Sequence, residues 1–182
     1  KGKITSWVAG NEPDMVVWRE RYVTLLKTFH RAVKRADPNN KVLLCGFAGV
    51  EADHLDAVYR YGGKDYFDII SAHPYTRPHL PERGGFLEKI ESLVRVMKKH
   101  GDDKPIWITE VQYGSLTKQP TNLRKFEILM VKSTAFSLAL GADKLFYIEN
   151  WLHWGGGWEK EPKKMEGMPD PTGYTHLVYR NL

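Results

Sequence analysis

A chain of 182 residues is long enough for one domain with a buried core and too short for two full domains. Its 42% hydrophobic and 27% charged residues are typical of a globular protein, and no apolar run of about 18 residues predicts a membrane span. The net charge of +5 is spread over helical segments beside many acidic residues, which predicts solvated helix faces and no nucleic-acid partner. Residues 1–3 lead straight into a strand-like segment, so we expect no signal peptide in this chain and leave its compartment open.

Strand and helix signals alternate along the chain with a repeat of roughly 30 to 40 residues, as βαβ units require. Five short apolar runs are nearly continuous and rich in Val, Ile, Leu and aromatic residues, which is typical of parallel strands covered on both faces. The predicted strands are Ile4–Gly10, Lys41–Ala48, Phe67–His73, Pro105–Thr109 and Lys144–Glu149. The single cysteine, Cys45, lies in the second run, where it has no disulfide partner and is predicted to be a small core residue.

Amphipathic helices are predicted between the strands, because apolar residues recur there three or four positions apart. The predicted helices run from Tyr22 to Ala36, from near Asp53 through Tyr59, from Phe86 to Met97, from Phe126 to Leu140 and, as a candidate, from Tyr174 to Leu182. Asp37–Pro38 ends the first helix, and Gly101 and Gly141 end the third and fourth.

The alternating units fit either an open doubly wound sheet or part of a (β/α)₈ barrel, and the residues at the strand ends decide between them. A (β/α)₈ barrel places its chemistry at the carboxyl ends of its strands. Polar and aromatic residues follow four of the five predicted strands: Glu12, His73 with Tyr75, Glu110, and Glu149 with Trp151. No glycine-rich phosphate loop follows the first strand, so a dinucleotide-binding sheet has no support. We therefore predict an α/β fold, a (β/α)₈ TIM barrel.

Two glutamates, Glu12 and Glu110, come directly after apolar strand residues and are expected to project into one rim. A lone buried carboxylate is costly there, so each needs a partner or a chemical role. In the purely structural alternative, Glu12 begins a helix near its dipole and Glu110 pairs with an Arg or Lys. Two carboxylates across a sugar are the minimal machinery of glycoside hydrolysis, in which one donates a proton and the other attacks or activates water.

At these residues the sequence resembles clan A of the retaining glycoside hydrolases, whose members include cellulase-like and xylosidase-like families. In that clan an Asn-Glu-Pro motif after the fourth barrel strand carries the acid/base, and the nucleophile follows the seventh strand. Asn11–Pro13 matches the first motif, and Trp107–Glu110, followed by Gly114, resembles the second. His73–Tyr75 resembles the clan's His-x-Tyr at the sixth strand, and Trp151 resembles its aromatic residue after the eighth.

The resemblance implies roles for individual residues. Glu12 would be the acid/base, and Glu110 the nucleophile that forms a covalent glycosyl-enzyme. Asn11 would hydrogen-bond the sugar 2-hydroxyl, an interaction that strengthens in the transition state. Tyr75 would hydrogen-bond Glu110, and His73 would contact the sugar or the acid/base. Trp151 would form the floor under the sugar ring.

A loop rich in tryptophan and glycine, Trp151–Trp158, follows the last predicted strand. Aromatic faces suit the C–H faces of pyranose rings, which makes Trp151 the strongest and Trp154 and Trp158 weaker candidates for sugar binding. The alternative is that these tryptophans are buried beneath the barrel rim. Glu149, just before the loop, either contacts a sugar hydroxyl or pairs with an Arg, and we leave it out of the catalytic set.

A metal site is the main competing chemistry, with His73, His79 and His153 as imaginable ligands. No His-x-His or His-Glu-x-x-His spacing occurs, and the two glutamates have an explanation that needs no metal. We therefore expect neither a metal nor another cofactor.

By the resemblance, residues 1–182 are the C-terminal portion of one catalytic barrel, from the fourth strand to the eighth helix, and the first three βα units are absent from the chain. A five-strand arc alone would leave apolar sheet edges uncovered, so we expect another segment or chain to complete the barrel. The expected function is retaining hydrolysis of β-glycosidic bonds in a poly- or oligosaccharide. A non-catalytic carbohydrate-binding or scaffold protein on the same fold is the alternative.

Overall fold

The computed structural model describes residues 4–15, 19–48, 51–76, 80–111 and 123–147. The strands are Ser6–Val8 (β1), Lys41–Leu44 (β2), Ile69–Ala72 (β3), Ile106–Val111 (β4) and Ala142–Tyr147 (β5). The helices are Arg19–Ala36 (α1), Glu51–Arg60 (α2), Phe86–Lys99 (α3) and Leu123–Ala139 (α4). Two 3₁₀ turns, Pro13–Met15 and Lys64–Tyr66, are additional to the predicted elements. The candidate helix Tyr174–Leu182 lies outside the described residues.

The five strands form one sheet in the order in which they occur in the chain, and every neighbouring pair is parallel. A doubly wound sheet reverses its strand order at a switch point, and this sheet has no such reversal within the described residues. The strands and their helices therefore form half of a (β/α)₈ barrel, which confirms the predicted fold class. Because the strands are parallel, their carboxyl ends meet along one edge, which we call the rim.

The ends of two helices show how local sequence sets the element boundaries. Helix α1 ends at Ala36 because Asp37 precedes Pro38, a position that disfavours helical backbone. The Asp37 carboxylate then accepts the Asn39 N–H at 2.9 Å, which closes the turn into β2. Helix α3 ends two residues before Gly101, which takes a left-handed φ of 62°.

The core lies between the sheet and the helices. Alternate strand residues, among them Val42, Leu44 and Ile70, face the helices and are at most 1% exposed. Cys45 belongs to the same cluster and is fully buried, as predicted, and burial raises the pKa of its thiol to about 12. Along the described residues, no helix combines the length and apolar character that crossing a membrane requires.

The opposite face of the sheet is the inner face of the half-barrel. β1, the first strand of the sheet, leaves large apolar side chains exposed, with Trp7 40% and Val8 45% exposed. The predicted boundaries of β5 are shifted, since the strand begins at Ala142, two residues before the predicted start. The polar residues of the inner face lead up to the rim.

Candidate active site

Glu12 lies at the rim in an unusual backbone conformation. Its φ is 42°, and it is the one non-glycine residue with a positive φ among those described. Such a conformation costs on the order of 1–3 kcal/mol and persists only where its surroundings hold it. The Glu12 N–H donates to the carbonyl of Gly46 at 3.1 Å, and its own carbonyl accepts the Met15 N–H at 3.2 Å.

Glu110 reaches the rim through an irregularity in β4. Ile108 pairs with Leu145 and Val111 with Tyr147, so β4 has one residue more than β5 over this interval. This β-bulge lets Thr109 and Glu110 both stay partly exposed, while Val111 returns to the core. The predicted end of this strand at Thr109 is wrong, because Glu110 belongs to the bulged strand.

His73 lies between the two glutamates. Its Nδ1 is 3.1 Å from Glu12 Oε1 and 3.6 Å from Glu110 Oε2. The His73 side chain is only 3% exposed, whereas the glutamates are 20% and 22% exposed and open to the rim. One oxygen of Glu12 and one of Glu110 lie within 4.8 Å of each other and of the His73 nitrogen.

A hydroxyl network contacts the second ring nitrogen of His73. His73 Nε2 is 3.1 Å from Thr109 Oγ1, and Thr109 Oγ1 is also hydrogen-bonded to Ser71 Oγ. An ionised carboxylate can only accept, so beside an ionised Glu110 the Nδ1 carries hydrogen. In the neutral ring Nε2 then accepts from Thr109, and Thr109 accepts from Ser71. Neither hydroxyl is among the site residues predicted from the sequence; their signal is a Ser and a Thr at inward positions of predicted strands.

Gly46 is a third residue of the site that the sequence prediction lacks. It follows β2 at the rim, and a Cβ built on it would lie 2.2 Å from Cδ2 and 2.4 Å from Nε2 of the His73 ring. No other residue type fits there unless His73 moves. The only signal in the sequence is a glycine at the carboxyl end of a predicted barrel strand.

Tyr75 holds Glu110 from the other side. Its hydroxyl donates a hydrogen bond to Glu110 Oε1, the contact expected from the resemblance. The Tyr75 N–H donates to the His73 carbonyl at 2.7 Å, and Lys89 of α3 donates to the Tyr75 carbonyl. Tyr75 is thereby attached both to the strand end and to a helix.

Of the remaining predicted site residues, the structure describes Asn11. Asn11 is exposed at the rim next to Glu12. The other candidates lie outside the described residues: His79, Gly114, Glu149, Trp151, His153, Trp154 and Trp158. Their predicted roles stay predictions.

One donor atom each from Glu12, His73 and Glu110 could also hold a metal ion. This combination differs from the histidine set considered from the sequence, of which His73 alone lies among the described residues. Two carboxylates and an imidazole would accept a divalent cation such as Zn²⁺ or Mn²⁺. The contact of His73 with Glu12, together with the Tyr75–Glu110 bond, also gives each donor a partner from the protein itself.

No family model and no curated protein matches the sequence. Solved structures do match. A glucosidase from Croceicoccus marinus has a TM-score of 0.61 at 16% identity, over 78% of this chain and 31% of its own. A family 51 α-L-arabinofuranosidase from Bifidobacterium longum has a TM-score of 0.62 at 13% identity, over 79% of this chain and 37% of its own. A second such enzyme, from Thermotoga petrophila, has a TM-score of 0.62 at 17% identity, over 79% and 34%.

The fold matches part of the barrel of these enzymes. At this identity the likeness concerns the fold alone, and the chain spans about a third of the length of the structures that it matches. These larger chains have further structure beyond the half-barrel, which agrees with the expectation that another part completes the barrel.

Proposed function

We propose that this chain carries the catalytic pair of a retaining glycoside hydrolase, with Glu12 as acid/base and Glu110 as nucleophile. The observation that supports this most is the approach of the two carboxylates, one oxygen of each lying within 4.8 Å at the rim. Retaining enzymes place their carboxyl groups about 5–5.5 Å apart, whereas inverting enzymes need about 6.5–9.5 Å to admit a water. The short spacing favours direct attack by a carboxylate.

The contacts of each glutamate fit its proposed role. Tyr75 donates to Glu110, which stabilises the ionised form that attacks the anomeric carbon. As the sugar–oxygen bond breaks, Glu12 gives its proton to the leaving oxygen. In the second step Glu12 removes a proton from water, which attacks the glycosyl-enzyme and releases Glu110.

His73 connects the two steps, because its Nδ1–H faces both carboxylates. The Nδ1–H can donate to Glu110 before the attack, when Glu110 is ionised. It can donate to Glu12 after the proton transfer, when Glu12 is ionised. Asn11, Trp151 and Trp154 are the proposed sugar-binding residues; Asn11 would contact the 2-hydroxyl, and the tryptophans the ring face.

The substrate is proposed to be a poly- or oligosaccharide with β-glycosidic bonds, and the matched enzymes add arabinofuranosides to the sugars that need testing. We also propose that a further segment or chain supplies the remaining strands and packs against β1. Ile4 is 70% exposed there, beside the exposed Trp7 and Val8, and apolar side chains of this size are normally covered in a barrel.

The experiment measures turnover of aryl β-glucosides, β-xylosides and α-L-arabinofuranosides by the completed barrel. Glu110→Ala should abolish turnover of every substrate. Glu12→Ala should keep the first step for activated leaving groups, and azide should then accelerate the second step and yield a glycosyl azide of retained configuration. Azide rescue of Glu110→Ala with an inverted product would also identify Glu110 as the nucleophile.

Two controls accompany these variants. Glu91→Ala removes an exposed glutamate of α3 whose ion pair with Arg95 spans 3.8 Å, and it should leave turnover unchanged. Treatment with EDTA should also leave turnover unchanged. A loss of turnover with EDTA would show that the Glu12–His73–Glu110 donors work through a metal. Sugar binding without any turnover would favour the carbohydrate-binding alternative.

A further inference from the structure

Asp14 is an acidic residue at the rim that the proposed chemistry does not use. It lies two residues after Glu12, inside the Pro13–Met15 turn, and its side chain is only 7% exposed. Asp14 Oδ1 accepts the Ala48 N–H at 3.1 Å, and Oδ2 is 3.7 Å from His54 Nε2. Ala48 belongs to the loop after β2, so the Asp14 carboxylate ties the loop after β1 to its neighbour.

The imidazole ring of His54, in α2, is oriented with its Nε2 towards the Asp14 carboxylate. Arg19 Nε donates to His54 Nδ1 at 3.2 Å, which leaves the hydrogen on Nε2, the nitrogen nearest Asp14. Burial lowers the pKa of His54 and favours this neutral form. Phe47 stacks on the imidazole, with ring centroids 4.9 Å apart and an interplanar angle of 23°. The ring is thus fixed on one face and at one nitrogen.

Two hydrogen bonds, one from the Glu12 backbone and one to the Asp14 side chain, hold the chain on either side of the Glu12 carboxyl group. On one side of the acid/base, the Glu12 N–H donates to Gly46; on the other, Asp14 accepts from Ala48. Both bonds end on the same short loop after β2. Glu12 needs this support from its neighbours because its φ of 42° is unfavourable for a residue with a side chain. Without the Asp14 bond, the turn after Glu12 is free to relax that φ and turn the carboxyl away from His73.

We propose that Asp14 is a positioning residue that aims Glu12 as the proton donor, acting through its hydrogen bond to the Ala48 N–H. This inference rests on the proposed function. It predicts a defect confined to the proton transfers of Glu12, of which kcat/KM reports the donation to the leaving group; among the hydrogen bonds of the described residues, none joins Asp14 or Ala48 to Glu110. Misplacement of a catalytic group by about 1 Å can cost roughly a hundredfold in rate.

The test compares kcat/KM of the wild-type protein and of Asp14→Ala on a dinitrophenyl and a phenyl glycoside of the sugar that the wild type hydrolyses best. The dinitrophenolate leaves without protonation, whereas the phenolate needs the proton of Glu12. Asp14→Ala should therefore lower kcat/KM about tenfold to a hundredfold on the phenyl glycoside and less than about threefold on the dinitrophenyl glycoside. Asp14→Asn keeps an oxygen for the Ala48 N–H and should restore most of the loss.

Asp37→Ala is the matched control, since Asp37 also accepts a loop N–H, from Asn39 at 2.9 Å, but at the amino end of the strands. This control should lower kcat/KM on both glycosides equally or leave it unchanged. If Asp14→Ala does not fold, Asp14→Ser, whose hydroxyl is too short to reach Ala48, replaces it in the same comparison. Equal losses on both glycosides would overturn the positioning role and leave the proposed function standing. Absence of turnover by the wild type on every glycoside would instead overturn the proposed function.

Discussion

Gly46→Ala should damage the candidate site without touching either glutamate. The added Cβ would lie 2.2 Å from His73 Cδ2 and 2.6 Å from Cγ, far inside normal contact, so the buried imidazole has to move. Overpacking of this kind costs about 1–3 kcal/mol. Loss of the 3.1 Å bonds to Glu12 and Thr109 adds about 1 kcal/mol each when they break. We expect a decrease of about 3–5 kcal/mol in the free energy of unfolding.

Gly63→Ala provides the matched comparison, because its Cβ would lie 2.6 Å from Val58 Cγ1, a clash of similar size at the amino end of the sheet. Urea unfolding should show both variants destabilised. Activity per folded molecule, and the His73 ring signals in NMR, should change in Gly46→Ala alone. Wild-type stability of Gly46→Ala together with unshifted His73 signals would refute the packing argument.

Three further predictions concern the network, the pH response and the sheet edge. Thr109→Val removes the hydroxyl that donates to His73 and should lower kcat/KM about tenfold, whereas Thr109→Ser should not; equal rates for both variants would contradict the assigned network. Burial raises the pKa of Asp68, but hydrogen bonds from Lys34 and a backbone N–H outweigh it, and the pKa lies below its ordinary value of 3.8. The carboxylate therefore stabilises the fold above that value and loses this effect as the pH falls through the folded-state pKa. The free energy of unfolding of Asp68→Asn should accordingly depend less steeply on pH in this range. A slope equal to that of the wild type would refute the stabilising role of the Asp68 carboxylate. Amide hydrogen exchange at Ser6 and Val8, which alternate with the residues bonded to β2, should be fast in the chain alone and slow once further strands pair with this edge. Slow exchange at both residues in the isolated chain would argue against an open edge.

The strands and helices could be predicted because their signals are local. The continuous apolar runs of β2 and β3 and the stripe of α1 each report burial within one segment, and the structure places them where they were expected. The approach of Glu12 and Glu110 was also predictable in outline, because parallel strands bring their carboxyl ends to one rim.

The missed features depend on how separate segments meet. The bulge at Thr109 and Glu110 arises from the register between β4 and β5, which neither strand reveals alone. The fit of Gly46 against His73 joins residues 27 positions apart, and the bond from Ala48 to Asp14 joins residues 34 apart. A single sequence gives the residue types of such contacts but not their geometry.

The most direct test of the central claim is to identify the residue that becomes covalently bound to sugar. A 2-deoxy-2-fluoro glycoside with a good leaving group slows both steps and lets the glycosyl-enzyme accumulate. Peptide mass spectrometry of the completed barrel should then find the fluorosugar on Glu110, and Glu110→Gln should remain unlabelled while Glu12→Gln is still labelled. A label on any other residue, or turnover to a product of inverted configuration with no label, would contradict the assignment of Glu110 as nucleophile.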